Sequence, residues 1–360
     1  MTAFTTPTEE KSMTTNVSST KIDPSTTATS PSQSPNSPAR DSALVALRKR
    51  LLSRYGIVLV WFLMAVFFSF AAPKTFLTFG TVQTIFGSQS TLVFLAMAAV
   101  ATFAVGEFDL SIASIMGLSA TVLPVMAINV GVPEWAALLI ALVVGVLAGA
   151  ANGFIIVILG IDPIVTTLGM SVLLLGIAQA ISNLVAVTGL SLQLSNLAVY
   201  NVAGLPLAFY YGIVIAVIFA IVLAFTPLGR HMRFVGANRE VARLSGIRVQ
   251  RIRFGSYVFS GLSCGVAGVL LSVSVGGFDS STSSAYLLPA LAATFLGTAV
   301  VRPGTFNPIG TLVTIYFLVT GIVGLQLLGF SSWVSNVFYG AALVVAVTVS
   351  TIARKRIIRR

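Results

Sequence analysis

Long apolar runs, rather than alternating apolar and polar positions, organise this chain. Ten such stretches fall at 56–72, 82–105, 111–130, 135–158, 164–187, 207–226, 254–275, 285–301, 307–328 and 333–352. A helix rising 1.5 Å per residue needs roughly 20 residues to cross about 30 Å of hydrocarbon, and these runs have that length. They lack the two-residue alternation of barrel strands, so backbone satisfaction in lipid falls to helices. The pattern predicts an all-α, polytopic membrane protein with about ten transmembrane helices, although 77–90 also fits a re-entrant segment. Charge is nearly absent from the runs: Tyr55 to Phe225 holds Lys74, Glu107, Asp109, Glu134 and Asp162, and Phe254 to Ala353 holds Asp279 and Arg302.

Composition sharpens the class. The 360 residues are 56% hydrophobic and 9% charged, with mean hydropathy +0.97. A soluble domain carries roughly 25% charged residues, so a soluble enzyme is excluded. The first 42 residues differ in kind, with 19 Ser or Thr and five Pro. Residues 1–47 are expected to form a disordered tail, 48–353 the transmembrane domain and 354–360 a basic terminus. The first apolar run lies too far along the chain for a cleaved signal, and Ser69-Phe70-Ala71 only faintly resembles a cleavage site.

The net charge of +11 is concentrated. Arg48, Lys49, Arg50 and Arg54, seven arginines from Arg230 to Arg253, and Arg354, Lys355, Arg356, Arg359 and Arg360 account for 16 of the 21 basic residues. Basic flanks mark the cytoplasmic side, which demands an even number of crossings between successive clusters; six and four satisfy this. Both termini and the loop 226–253 are then expected in the cytoplasm of a cell (inner) membrane protein, with Lys74 outside and Arg302 inside. The charge sits at membrane boundaries without interleaved stacking aromatics, so lipid and not nucleic acid is the expected polyanion.

Several chemistries are missing. None of Lys11, Lys21, Lys49, Lys74 and Lys355 lies in a GxxxxGK[ST] arrangement, so the chain has no phosphate-cradling loop of that kind. One histidine, His231, and one cysteine, Cys264, supply neither a zinc site, a nucleophile pair nor a disulfide. Cys264 in SGLSCGVAGVL reads as a small packing residue. No catalytic or metal site is expected.

The loop TPLGRHMRFVGANREVARLSGIRVQRIRF carries the most information. Asn238 is suited to cap a helix of about two turns over Arg239–Ser245 that Gly246 stops. Glu240 and Arg243 are spaced to pair, and Val241 and Leu244 fall on the opposite side. So short a helix needs a partner surface. The spacing of Glu240, Ala242 and Gly246 resembles the coupling loop of ATP-binding-cassette importer permeases. The wider set Gly236, Asn238, Arg239, Glu240, Ala242, Arg243, Leu244 and Gly246 is similar to that loop in the ribose-type, monosaccharide family. Gly106-Glu107-Phe108-Asp109-Leu110-Ser111 resembles the family's Gly-Gly-Ile-Asp-Leu-Ser, Asn152-Gly153 its Asn-Gly, Pro163 to Gly169 its Pro-x-x-x-Thr-Leu-Gly, and Ala292 to Gly297 its late Gly-rich stretch. Glu107 departs from a usual Gly, Leu288-Pro289 from Leu-Asp, and Val301 to Gly304 from a Ser/Gly-rich turn. The resemblance implies a permease that dimerises with itself or a similar chain, binds two ATPase subunits that hold ATP and magnesium, and receives a sugar-like solute from a soluble binding protein.

VGEFDLSIAS at Val105–Ser114 and VGGFDSSTSS at Val275–Ser284 agree at six of ten positions, five predicted spans apart, which would invert the second copy. Asp109 is expected to cap the third span through backbone N–H groups. Its rival role is a proton relay with Glu107 in an ion-coupled carrier, since buried acids in membranes default to function. Glu107 has no assigned place at this level. Gly106, Glu107, Asp109, Ser111, Asn152, Gln179, Asn183 and Asp279 are the motif and pathway candidates.

Overall fold

The computed structural model describes the backbone of residues 39–302 and 304–358, and side chains from Tyr55 to Thr348 apart from Pro303. From Ala46 onward the chain forms one compact unit. The expected tail lies outside the described residues up to position 38; from Ala39 the backbone is already helical, as the Ala and Leu residues among 43–47 favour.

Helix α1 (Ala39–Ala71) is followed by the short α2 (Pro73–Phe76) and α3 (Phe79–Gly87). After a break at Ser88-Gln89 come α4 (Ser90–Ala104) and α5 (Ile112–Pro124), which widens into a π-helical turn, and then α6 (Glu134–Gly153), which ends the same way. Next are α7 (Pro163–Ser182), the two-residue β1 (Val187–Thr188), α8 (Leu192–Val199), the ladder β2 (Asn201–Val202) with β3 (Leu205–Pro206), and α9 (Leu207–Phe225). The basic loop folds as α10 (Pro227–Ala237) and α11 (Arg239–Leu244). The last part is α12 (Val249–Val275), β4 (Gly277–Phe278), a 3₁₀ segment Ser280–Tyr286, α13 (Leu287–Gly297), α14 (Pro308–Leu327) and α15 (Trp333–Ile358). Starts follow local chemistry: Asp162 accepts from the N–H groups of Ile164 and Val165 ahead of Pro163, and Asn307 accepts from Gly310 ahead of Pro308.

Among the described residues, seven helical stretches are long and apolar enough to cross a membrane, the first of them Phe79–Ala104 taking α3 and α4 together, and the apolar parts of α1 and α15, Tyr55–Ala71 and Trp333–Thr348, are shorter. The expected span at 285–301 is corrected. Its helix, α13, has 11 residues and at about 16 Å is too short to cross by itself, because Ser280 to Ser284 favour a 3₁₀ entry and helix structure ends near Thr298. The chain still changes face there: β4 pairs with β1 at one end, and Phe295 near the other end meets Phe103, close to the α4–α5 turn.

Every residue of α4 is buried, and α12 packs against α4, α5 and α6 at the centre. Contact between α6 and α12 depends on glycine. A Cβ on Gly145 would lie 2.8 Å from Gly265 Cα, and one on Gly149 2.8 Å from Gly261 Cα. Two small-xxx-small stripes thus let backbones touch, the usual means of helix association where burial from water offers no drive. Cys264, between those glycines, is fully buried, as expected of a packing residue. At the periphery, α1 lays Phe68 over Gly324 of α14, and its Trp61 indole N–H donates to Thr320 Oγ1 at 2.9 Å. Outward faces of α6, α7 and α9 present large apolar side chains such as Leu139, Leu147, Val172 and Ile218, a surface suited to lipid. The protein is a multi-pass membrane protein.

Gly149→Leu is expected to force α6 and α12 apart and lower stability by about 1–3 kcal/mol or more. Gly255→Ala, where nothing lies within 4 Å of an added Cβ, should leave melting of the detergent-purified protein unchanged or slightly higher.

Candidate functional site

The α4–α5 turn, residues 105–111, is where the candidate residues meet. Gly106 takes φ +77°, a left-handed geometry that glycine adopts freely, and turns the chain so that Glu107 points inward. Glu107 is fully buried. One carboxylate oxygen accepts from Arg239 Nη2 at 2.9 Å and from Arg253 Nε, and the other from the Tyr257 hydroxyl at 3.4 Å. These are the ion pairs among the described residues. Arg239 Nη2 also donates to the Gly106 carbonyl at 2.9 Å. A carboxylate fully out of water needs such partners, and removing one partner of a buried pair costs about 3–5 kcal/mol.

Asp109, also fully buried, serves differently from the expected cap. Its Oδ1 accepts from the Ser111 N–H at 3.0 Å and the Ser111 hydroxyl at 2.6 Å, an Asx turn that ends just before α5. The helical residues of α5 are left out of it, since Ser111 and not Asp109 occupies the capping position. Asp109 Oδ2 accepts from the Ser260 hydroxyl on α12 at 2.9 Å. Asn152 Nδ2 on α6 donates to Ser111 Oγ at 2.7 Å, while Asn152 Oδ1 is buried with no partner among the described residues. Leu110 N–H donates to Thr167 Oγ1 on α7 at 3.2 Å. One seven-residue turn therefore holds α6, α7 and α12 together.

The proton-relay role does not fit this geometry. Two guanidinium groups and a phenol occupy Glu107, and three donors from Ser111 and Ser260 occupy Asp109, so both acids are built into contacts between elements.

The basic loop folds as its residues suggest. Asn238 Oδ1 accepts from the N–H groups of Glu240 and Val241 at 3.0 and 3.1 Å, and Gly246 at φ +79° closes α11 with the Ile247 N–H reaching the Ala242 carbonyl. Ala242 is buried against the protein, while Leu244 is 86% exposed and Val241 is exposed beside it. The anticipated Glu240–Arg243 ion pair is absent among the described residues; both side chains stand in solvent, where such a pair gains little. Gly236, at the end of α10, packs its Cα against the α4–α5 backbone, where a Cβ would collide with the Ala104 carbonyl.

The second copy of the repeat has the same local geometry. Gly276 takes φ +75°, and Asp279 Oδ1 accepts from the Ser281 N–H at 2.9 Å and hydroxyl at 2.8 Å, matching Gly106, Asp109 and Ser111. Those two donors hold the Asp279 carboxyl below the usual carboxylate range. This turn lies at the face of the β1–β4 ladder, whereas the first lies at the face of α11, so the copies are inverted. Gln179 and Asn183 end α7 near that ladder: Asn183 adopts φ 52° as the C-cap, and Ser182 Oγ lies 3.3 Å from Ser280 Oγ. The candidates thus separate into two clusters at opposite faces. Sequence reasoning missed Arg253, Tyr257 and Ser260; their spacing of four and three residues, which puts polar groups on one helical face, was the available signal.

The fold is that of a mainly helical, multi-pass membrane protein with a docked polar loop, inverted turns and buried acids used as fasteners. Residues 81–347 match the family described as branched-chain amino acid transport system / permease component, and the chain belongs to that family. Among similar proteins are those named autoinducer 2 import system permease protein LsrD from Escherichia coli (strain K12), Escherichia coli O157:H7 and Shigella flexneri. Each is 32% identical over 257 residues, covering 70% of this chain and 78% of the relative. No solved structure matches the chain. Family membership makes this chain a transport subunit and implies ATPase and solute-binding partners.

Asp109→Asn keeps an acceptor for Ser111 and an amide facing Ser260, so stability should fall by less than about 1 kcal/mol and uptake should persist. Asp109→Ala, which leaves buried donors unpaired, should cost about 2–3 kcal/mol in melting of the purified protein.

Proposed function

We propose that the chain is the membrane permease of an ATP-driven importer, works as a homodimer or paired with a similar permease, and carries a monosaccharide or sugar-like solute delivered by an extracytoplasmic binding protein. ATP and magnesium reside on two partner ATPase subunits. The observation that carries this reading is α11: capped, stopped, tied to the protein on its Ala242 and Arg239 side, and offering Leu244 and Val241 to solvent. An exposed apolar pair on a helix too short to stand alone is a docking face. The basic residues around it support a cytoplasmic location for this face and for both termini.

The solute class rests on two supports. The relatives' name describes import of autoinducer 2, and the opposite face gathers Gln179, Asn183, Asp279 and the hydroxyls of Ser281, Thr282 and Ser284 around the inverted turn. Amides, hydroxyls and a single carboxylate, with no ion pair at that carboxylate among the described residues, suit a polyol entering from outside. Closure of the ATPase pair on ATP would move the α11 helices and exchange outward for inward access.

Gently solubilised from its own membranes, the chain should bring down a phosphate-loop ATPase in stoichiometric amount, quantified by mass spectrometry. Leu244→Asp should reduce that recovery at least about tenfold, since burying a charge in place of a leucine costs more than 1.4 kcal/mol. A chain recovered intact and alone would contradict the reading.

A further inference from the structure

We propose that Arg239 and Glu107 form the mechanical link through which the coupling helix acts on the membrane core, with Arg253 as the permanent counter-ion of Glu107. This rests on the importer reading given above. The two arginines differ in the way such a division of labour needs. Arg253 belongs to the transmembrane helix α12 and is 15% exposed; Arg239 opens α11 and is 42% exposed. One carboxylate faces two guanidiniums, so the cluster carries one positive charge in excess. Glu107 therefore stays neutralised by Arg253 whatever Arg239 does, and the α11 contact can strain or break without stranding a buried anion.

What Arg239 grips makes it a link and not one more surface contact. Its Nη2 holds both the Gly106 carbonyl and the Glu107 carboxylate, so a displacement of α11 pulls on the backbone and a side chain of one turn. That turn is bonded onward to α12 through Asp109 and Ser260, to α6 through Ser111 and Asn152, and to α7 through Leu110 and Thr167. Gly236 packs against the same turn and gives α10 a second, backbone contact there. The twin turn at the opposite face has Gly277 where this one has Glu107, and no ion pair among the described residues, so the fastening is specific to the side that bears the coupling helix. Arg239 and Glu107 are positioning residues: Glu107 is buried beyond reach of any subunit docked on α11, and acts through the loop it holds.

The test uses the full complex in proteoliposomes and reads two quantities, ATPase recovered per permease and ATP hydrolysed per solute imported. Glu107→Gln should leave recovery within twofold of wild type, because residue 107 touches no partner, yet raise ATP spent per solute about tenfold, the factor a charge-assisted hydrogen-bond pair is worth. Arg239→Gln should raise the ratio similarly while sparing the Glu107–Arg253 pair, and Arg239→Lys should restore most of the coupling. If Glu107→Gln lowers folded yield, Glu107→Gln with Arg253→Gln removes the stranded charge and should show the same uncoupling. An unchanged ATP-to-solute ratio in Arg239→Gln, or no recovery by Arg239→Lys, overturns the link. Failure of the wild-type chain to bring down an ATPase would instead overturn the importer reading beneath it.

Discussion

A carboxylate carried out of water must bring its counter-charge with it, and in this protein that requirement falls on Glu107. Satisfying it draws Arg239 from the polar loop and Arg253 and Tyr257 from a transmembrane helix onto one turn. All three lie far along the chain from the turn they meet, 146 residues separating Glu107 from Arg253. The pairing therefore fixes where the loop sits on the core as well as the charge balance. Asp109, two residues on, extends the same turn to Ser260 one helical turn deeper on α12. Polar contacts at one face thus do the positioning, while glycine stripes between α6 and α12 permit the close packing behind them.

The inverted turns give the architecture its economy. Gly106 with Asp109 and Ser111, and Gly276 with Asp279 and Ser281, form one local structure at two faces. They have diverged in charge. The first turn carries Glu107 and is locked to arginines; the second carries Gly277, whose lack of a side chain lets the Thr188 backbone of β1 approach. In the importer reading, one is fastened to the motor side and the other borders the mouth where solute arrives.

Much of this was legible in the chain. Hydrophobic run lengths located most of the membrane helices, and Asn238 and Gly246 marked the ends of α11 because caps and stops are local chemistry. The shortness of α13 was hidden, since apolar residues continue past Gly297 to Val301 and hydropathy alone does not register a helix end. Glu107 was visible as an anomaly without a role: finding Arg239 and Arg253 as its partners required the packing. The Asp109 turn was half visible. Its local donors, the Ser111 N–H and hydroxyl, follow from Asp-x-Ser, whereas Ser260 and Asn152 become neighbours only once α12 and α6 close on the turn.

The account stands on Glu107 holding the coupling segment and the α4–α5 turn as one unit, and hydrogen exchange reads that most directly. Amide exchange in the full chain, compared between wild type and Glu107→Gln, should rise together over 105–111 and 239–247 and stay constant over the twin turn 277–282. Faster exchange confined to 105–111, with the coupling segment as protected as before, would contradict it.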